Sequence, residues 1–247
     1  VHEIFVADSL LDDIPVEPLV PPELEAKASF ALRIVLEEAG FATTIEPTVI
    51  EQAVQPGYEM AKPLFPRVIG EVNSAPISPS SEYDYLMPAR TASLAAMLAA
   101  RMGLDMETTG HICVGALLMD IGISKIAAGS EEHQYQKHPV FSYVLLKDMP
   151  FITPVSISTV LQHHERLDGS GFPQGLKGDH ISMGARIVAV AETYYSLISD
   201  RPGHDRWARQ DAMEYIMAFG GELFDAAVVQ AFVRSVPAYP TGILVRL

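Results

Sequence analysis

The sequence has a single cysteine and no long apolar run. Because Cys113 is the only cysteine among 247 residues, no disulfide can form within the chain, and a reducing cytoplasm is the expected compartment. No apolar run reaches the roughly 18 to 20 residues that a membrane-spanning helix needs, and no signal peptide is visible. The sequence therefore excludes a disulfide-stabilised secreted domain and predicts no membrane partner.

Basic side chains are also scarce. The chain has 17 Lys and Arg against 31 Asp and Glu, a net charge of -14, and residues 1–85 alone carry 15 acids against 4 bases. Since a surface this acidic repels polyanions, we expect no nucleic-acid polymer among the partners. A small phosphorylated ligand in a local basic or metal-lined pocket is compatible with this charge.

One turn-rich segment predicts the domain organisation. Residues 74–81 read SAPISPSS. They separate a small helical N-terminal domain with an extended acidic arm, residues 1–79, from a larger domain, residues 80–247. The first residue is valine rather than methionine, which leaves open a longer parent protein with an upstream receiver or sensor domain.

Hydrophobic periodicity and helix start and stop signals predict an all-α protein. The predicted helices cover residues 23–40, a segment from Pro47, then 63–73, 84–102, 108–121 and 131–149, a segment from Pro154 to the double histidine, and 182–199, 205–218 and 222–236. We expect residues 239–247 to pair as a short strand.

The strongest functional signal is the segment from His163 to Pro173, which reads HHERLDGSGFP. Adjacent histidines point in different directions from a helix end, so both reach one polar site only where a metal or a phosphate accepts them. The alternative is that one histidine caps the helix and the other faces water.

Three more residues are candidate metal ligands: Asp120, His138 and Glu192. Mixed imidazole and carboxylate ligands suit iron, manganese, zinc or nickel, and a carboxylate can bridge two ions. Each residue also has a simpler interpretation: a capping aspartate, a packed histidine before a proline, and a solvated helix residue. Sequence spacing alone does not show that they converge.

The segment from His163 to Pro173 resembles the HD-GYP family of metal-dependent cyclic di-GMP phosphodiesterases. The likeness covers about residues 83–247 and continues through Gly175, Gly178, Ile181, Arg186, Ile187, Ala191, Glu192, residues 200–202, Phe224, Asp225 and residues 239–242. It implies an HD-domain-like helical bundle. It also implies that Asp120, His138, His163, His164 and Glu192 hold metal ions, which activate water for attack on a phosphodiester.

The departures from this family concern the metal ligands. Met87 and Met119 stand where the family has histidines, and Ile123 stands where it has a lysine. A thioether is a poor ligand for iron or manganese, and isoleucine cannot donate to a phosphate. Three outcomes stay open: no metal, one divalent ion (iron or manganese before zinc or nickel), or a competent cluster.

The nucleotide and protein contacts implied by the resemblance are altered as well. Arg201 matches an arginine that contacts the cyclic dinucleotide, and Arg166 and Lys177 are further substrate-binding candidates. Phe172 replaces the tyrosine of the Gly-Tyr-Pro signature. The loop Gly171, Phe172 and Pro173 either presents its ring to a signalling protein, such as a diguanylate cyclase, or packs the ring inward.

These matches and departures imply a divergent HD-GYP domain in cyclic di-GMP signalling, with lost or strongly reduced phosphodiesterase activity. Such a domain would act as a nucleotide-binding or protein-interaction module. The first alternative is a slow phosphodiesterase that hydrolyses cyclic di-GMP or a related phosphoester through a single retained metal. The second is a structural partner-binding domain with no affinity for nucleotides.

Overall fold

The all-α fold predicted from the sequence is confirmed. A computed structural model of the chain describes residues 3–5, 20–41, 43–65, 83–127, 129–200, 205–237 and 244–246. The helices, labelled in chain order, are α1 Pro22–Phe41, α2 Pro47–Glu59, α3 Tyr83–Arg101, α4 Met106–Leu118, α5 Glu132–Tyr135, α6 His138–Leu146, α7 Pro154–Gln162, α8 Met183–Ile198, α9 Arg209–Ala218 and α10 Ala226–Val233.

Capping residues determine several helix starts. The Thr153 hydroxyl accepts a hydrogen bond from the Ser156 amide at the start of α7, and Ser182 caps α8 in the same way. Asp225 accepts from the Ala227 amide and starts α10 four residues later than the sequence pattern predicts. The capping side chains thus decide boundaries that hydrophobic periodicity leaves uncertain.

The prediction of one continuous helix over residues 131–149 is wrong. The chain forms α5, turns at Gln136 and Lys137, and begins α6 at His138. Pro139 explains the break, because proline has no amide hydrogen and is accommodated only in the first turn of a helix. His138 therefore lies at a helix start, where its ring can fold back onto the preceding turn.

Two other predicted helices differ from the structure. Helix α4 ends at Leu118, and a 3-10 helix Ile121–Lys125 follows in place of the last predicted turn. The helix predicted over 63–73 is a 3-10 helix Lys62–Leu64 at its start, and residues 66–73 lie outside the described residues.

The two chain ends pair as a short antiparallel sheet. Strand β1 Glu3–Phe5 aligns with β2 Leu244–Arg246, with Ile4 opposite Val245. The predicted C-terminal strand is confirmed, and its partner belongs to the segment predicted as an extended arm.

The buried core runs from α1 to α10. Helix α3 packs on α1, α4 and α8, and α4 also packs on α2 and α7. Burial raises the pKa of the Cys113 thiol on α4 to about 12, so this cysteine stays protonated at neutral pH.

The predicted domain boundary at residue 79 falls outside the described residues, and the division into two domains stays a prediction. Among the described helices, none has the length and apolarity needed to cross a bilayer.

Candidate metal site

Four of the predicted ligands converge in the structure. Asp120, His138, His163 and His164 each offer one ligating atom, and these atoms all lie within 4.8 Å of one another. His138 and His163 are fully buried, whereas Asp120 and His164 are partly exposed. This is the only such group of His, Cys, Asp or Glu side chains in the part of the chain that the structure describes.

Backbone carbonyls orient the two buried imidazoles. His138 Nδ1 lies 2.8 Å from the Tyr135 carbonyl, and His163 Nδ1 lies 2.8 Å from the Val160 carbonyl. Because a carbonyl oxygen can only accept, each Nδ1 must carry the hydrogen. In the neutral ring Nε2 then carries a lone pair, which is the form that binds a metal.

The atoms that face one another are therefore all electron-rich. The Nε2 atoms of His138 and His163 lie 3.1 Å apart. Asp120 Oδ1 lies 3.2 Å from His138 Nε2 and 3.6 Å from His163 Nε2. This Oδ1 is buried without a hydrogen-bond partner of acceptable geometry. Lone pairs held this close repel one another unless a proton or a cation lies between them. The donor set fits a divalent metal ion.

The ionisation of the group also suits a cation. Burial, followed by the neighbouring charges of His163 and His138, lowers the pKa of His164 well below its ordinary value, so this ring is neutral. Burial raises the pKa of Asp120, whereas positive charge on the neighbouring His138 and His163 rings lowers it far below the ordinary value, so Asp120 is a carboxylate when a proton or a cation lies among these atoms. His164 thus supplies a neutral imidazole and Asp120 a carboxylate.

The ring of Phe172 packs on this cluster. It stacks on His164 with the ring centroids 4.5 Å apart, and it meets His138 edge-on at 6.2 Å. Between the two alternatives for this loop, the structure has the ring packed inward, with part of its surface left accessible. Gly171 permits this packing, since a Cβ there would lie 2.4 Å from the His164 carbonyl oxygen.

Glu165 holds the loop in place. Its side chain is buried, and its two carboxylate oxygens accept from the amides of Gln174 at 2.7 Å and Leu176 at 2.8 Å. The sequence shows a carboxylate directly after two histidines, a signal that favours a metal ligand. In the structure this carboxylate instead joins the end of α7 to the far side of the loop.

Replacing Glu165 by glutamine should destabilise the protein. The new side chain keeps one acceptor oxygen and places an NH2 group opposite one of the two amides, which then loses its partner. We expect the free energy of unfolding in urea to fall by about 1 to 3 kcal/mol. Asp168→Asn is the control, because this exposed side chain accepts from Ser170 in the same loop. An equal loss in both variants would contradict a special role for Glu165.

The two methionines at the positions where the family resemblance implies histidine are buried. Met119 is fully buried beside Asp120, and Met87 on α3 is 6% exposed, with its Sδ 3.6 Å from the Thr91 hydroxyl. Ile123 is more open, at 37% exposed. The first two positions add apolar volume where the family resemblance implies imidazole.

The remaining candidates lie outside the four-residue cluster. The carboxylate of Glu192 lies close enough to influence the guanidinium of Arg166. Arg166 donates to the carbonyls of His163 and Glu165 and lies over the Phe224 ring, at 5.4 Å from its centroid. The two other substrate-binding candidates are Lys177, which is exposed, and Arg201, which lies outside the described residues. The structure gives Arg166 a local packing role; its contact with substrate stays a prediction.

A family model and two known proteins match this chain in sequence. The HD domain family matches residues 71–228. The cyclic di-GMP phosphodiesterase PA4108 of Pseudomonas aeruginosa is 32% identical over 178 residues, which are 68% of this chain and 43% of that protein. The cyclic di-GMP phosphodiesterase response regulator RpfG of Xanthomonas campestris pv. campestris is 37% identical over 159 residues, 59% of this chain and 41% of that protein.

A solved structure supports the same fold. Bd1817, a HDG"Y"P protein from Bdellovibrio bacteriovorus, superposes with a TM-score of 0.63 at 16% identity and covers 84% of this chain and 68% of that one. At this identity the likeness concerns the fold alone. The chain spans less than half the length of the two phosphodiesterases, so their activities as whole proteins do not transfer to it directly.

Proposed function

Because the chain belongs to the HD domain family, and within it to the HD-GYP proteins, we propose that it is a cyclic dinucleotide signalling module with one metal position. Its phosphodiesterase activity is far below that of its relatives, and binding of cyclic di-GMP or a related nucleotide, or of a signalling protein, is its main role.

The asymmetry of the site carries this proposal. Asp120, His138, His163 and His164 present converging lone pairs. At two further positions, where the family resemblance implies histidine, the chain has the buried thioethers Met87 and Met119. Since thioethers are soft ligands, they do not hold iron or manganese in an otherwise hard site.

The cluster of Asp120, His138, His163 and His164 determines what this chain can contribute to hydrolysis of a phosphoester. The two buried histidines direct their Nε2 lone pairs inward, and Asp120 supplies negative charge that balances a cation. A divalent ion bound there supplies a Lewis acid for a phosphoester oxygen. Ile123 offers no proton donor. Two-metal phosphodiesterases stabilise the charge of the transition state with two ions, and the absence of imidazole at positions 87 and 119 removes ligands for the second ion.

Two of the predicted substrate-binding side chains lie at the loop beside the site. Arg166 is held by backbone carbonyls beside the site, and the methylene carbons of the exposed Lys177 side chain lie across Gly169 in the loop. We propose that Lys177 and Arg201 contact the phosphates of the ligand, with Arg166 contributing charge from behind the loop. Weak hydrolysis through the single ion is the second candidate function, favoured by the complete four-residue cluster.

Two measurements on the purified chain test the proposal. After loading with iron or manganese under anaerobic conditions, we expect about one ion per chain and turnover of cyclic di-GMP well below about 1 per second, the lower end for ordinary enzymes. Calorimetry with the same nucleotide should show binding. Turnover above that rate would overturn the loss of activity, and absence of both metal and nucleotide binding would leave a structural partner-binding domain.

A further inference from the structure

Asp120 and His138 come from different elements, and a single side chain joins those elements. Ser142 lies on α6, fully buried. Its hydroxyl donates to the Met119 carbonyl at 2.6 Å and accepts from the Gly122 amide at 2.8 Å. One oxygen therefore holds the backbone on both sides of Asp120.

The two hydrogen bonds of Ser142 lie on the same side of α6 as the His138 ring. Ser142 follows His138 by four residues, so both side chains project from the same face of the helix. Through its backbone, Asp120 is fixed against the face that carries His138. The separation of 3.2 Å between Asp120 Oδ1 and His138 Nε2 depends on this alignment.

Gly122 makes the close approach feasible. A Cβ at this residue would lie 2.3 Å from the His138 carbonyl oxygen and 2.8 Å from Ser142 Oγ. Any larger residue would push the 3-10 helix Ile121–Lys125 away from α6 and lengthen both hydrogen bonds of Ser142. The pair Gly122 and Ser142 thus forms one contact, with the glycine supplying space and the serine supplying the bonds.

We propose that Ser142 is a positioning residue for the metal site: it touches no ligating atom and sets the distance between the Asp120 carboxylate and His138. The inference rests on the proposed metal-binding function. Metal ligands tolerate errors of only about 0.2 Å in distance, and loss of a group that orients a ligand lowers metal affinity about 10-fold to 100-fold.

The test compares Ser142→Ala with wild type and with Ser235→Ala. Ser235 is also buried, and its hydroxyl donates to the Ala231 carbonyl at the end of α10. We expect Ser142→Ala to bind Mn²⁺ at least about tenfold more weakly than wild type in a calorimetric titration. The melting temperature should rise less on addition of Mn²⁺ than it does in wild type, whereas Ser235→Ala should show the wild-type affinity and the wild-type rise.

The outcomes separate this inference from the function on which it rests. If wild type binds Mn²⁺ and Ser142→Ala binds it equally well, the positioning role is wrong while the metal site stands. A serine that only stabilises the fold would lower the melting temperature with and without metal by the same amount. If wild type binds no divalent ion, the metal site and the positioning role fail together.

A measurement on the unaltered protein covers the case in which Ser142→Ala does not fold. If Ser142 fixes the turn, the Gly122 amide should be protected from hydrogen exchange in metal-free protein, to a degree similar to amides within α6. Free exchange at Gly122 without metal, followed by protection when Mn²⁺ is added, would show that the ion orders the turn and would overturn the proposal.

Discussion

Replacing Met87 and Met119 together by histidine should raise the metal content from about one to about two ions per chain. The two positions are those at which the family resemblance implies imidazole, and both side chains are buried, Met87 on α3 and Met119 directly before Asp120. With the second ion in place, hydrolysis of cyclic di-GMP should rise at least about a hundredfold, since loss of one electrostatic stabiliser in an active site costs about two to three powers of ten.

The control for this double variant is a histidine at a buried methionine elsewhere. Met213 on α9 is 5% exposed, close to the value for Met87. Met213→His should lower stability without adding metal, because a buried imidazole without a partner is costly wherever it is placed. A folded Met87→His, Met119→His protein that still holds a single ion would show that these positions do not correspond to the family's histidines.

The sequence predicts the ligands better than it predicts their arrangement. The run of two histidines before a glycine-rich turn, with Asp120 earlier in the chain, indicates the family and therefore five candidate ligands, of which the structure brings together all but Glu192. What holds them could not be predicted. The bridge from Ser142 to the backbone around Asp120 depends on how α6 packs, and nothing in the local sequence distinguishes this serine from one that faces solvent.

Around His138, a proline overrides the helical pattern of the surrounding sequence. The residues around His138 have the apolar spacing of a helix that continues from 131 to 149, yet Pro139 is incompatible with a helix interior. The break places the Tyr135 carbonyl within 2.8 Å of His138 Nδ1. A feature that weakens the helix therefore selects the tautomer of a candidate metal ligand, a link that becomes visible only when both residues are placed in three dimensions.

Replacing His163 by alanine should abolish metal binding and with it the stabilisation that the metal provides. His163 Nε2 faces two of the other ligands, at 3.1 Å from His138 Nε2 and 3.6 Å from Asp120 Oδ1. In wild type, an ion at a concentration of about 100 times its Kd stabilises the fold by about 2.7 kcal/mol, which for a chain of this size raises the melting temperature by about 5 to 10 °C. In His163→Ala that rise should vanish, and metal analysis should find less than about 0.1 ion per chain.

The cavity left by the imidazole complicates the comparison, because removal of a buried side chain lowers stability even without metal. The informative quantity is therefore the difference in melting temperature between metal-loaded and chelator-treated protein, taken within each variant. His111→Ala is the control, since this histidine on α4 lies outside the cluster and beside Glu107. It should keep the full metal-induced rise. If His163→Ala also keeps it, the ion binds elsewhere, and the lone pairs gathered around Asp120 must instead share a proton.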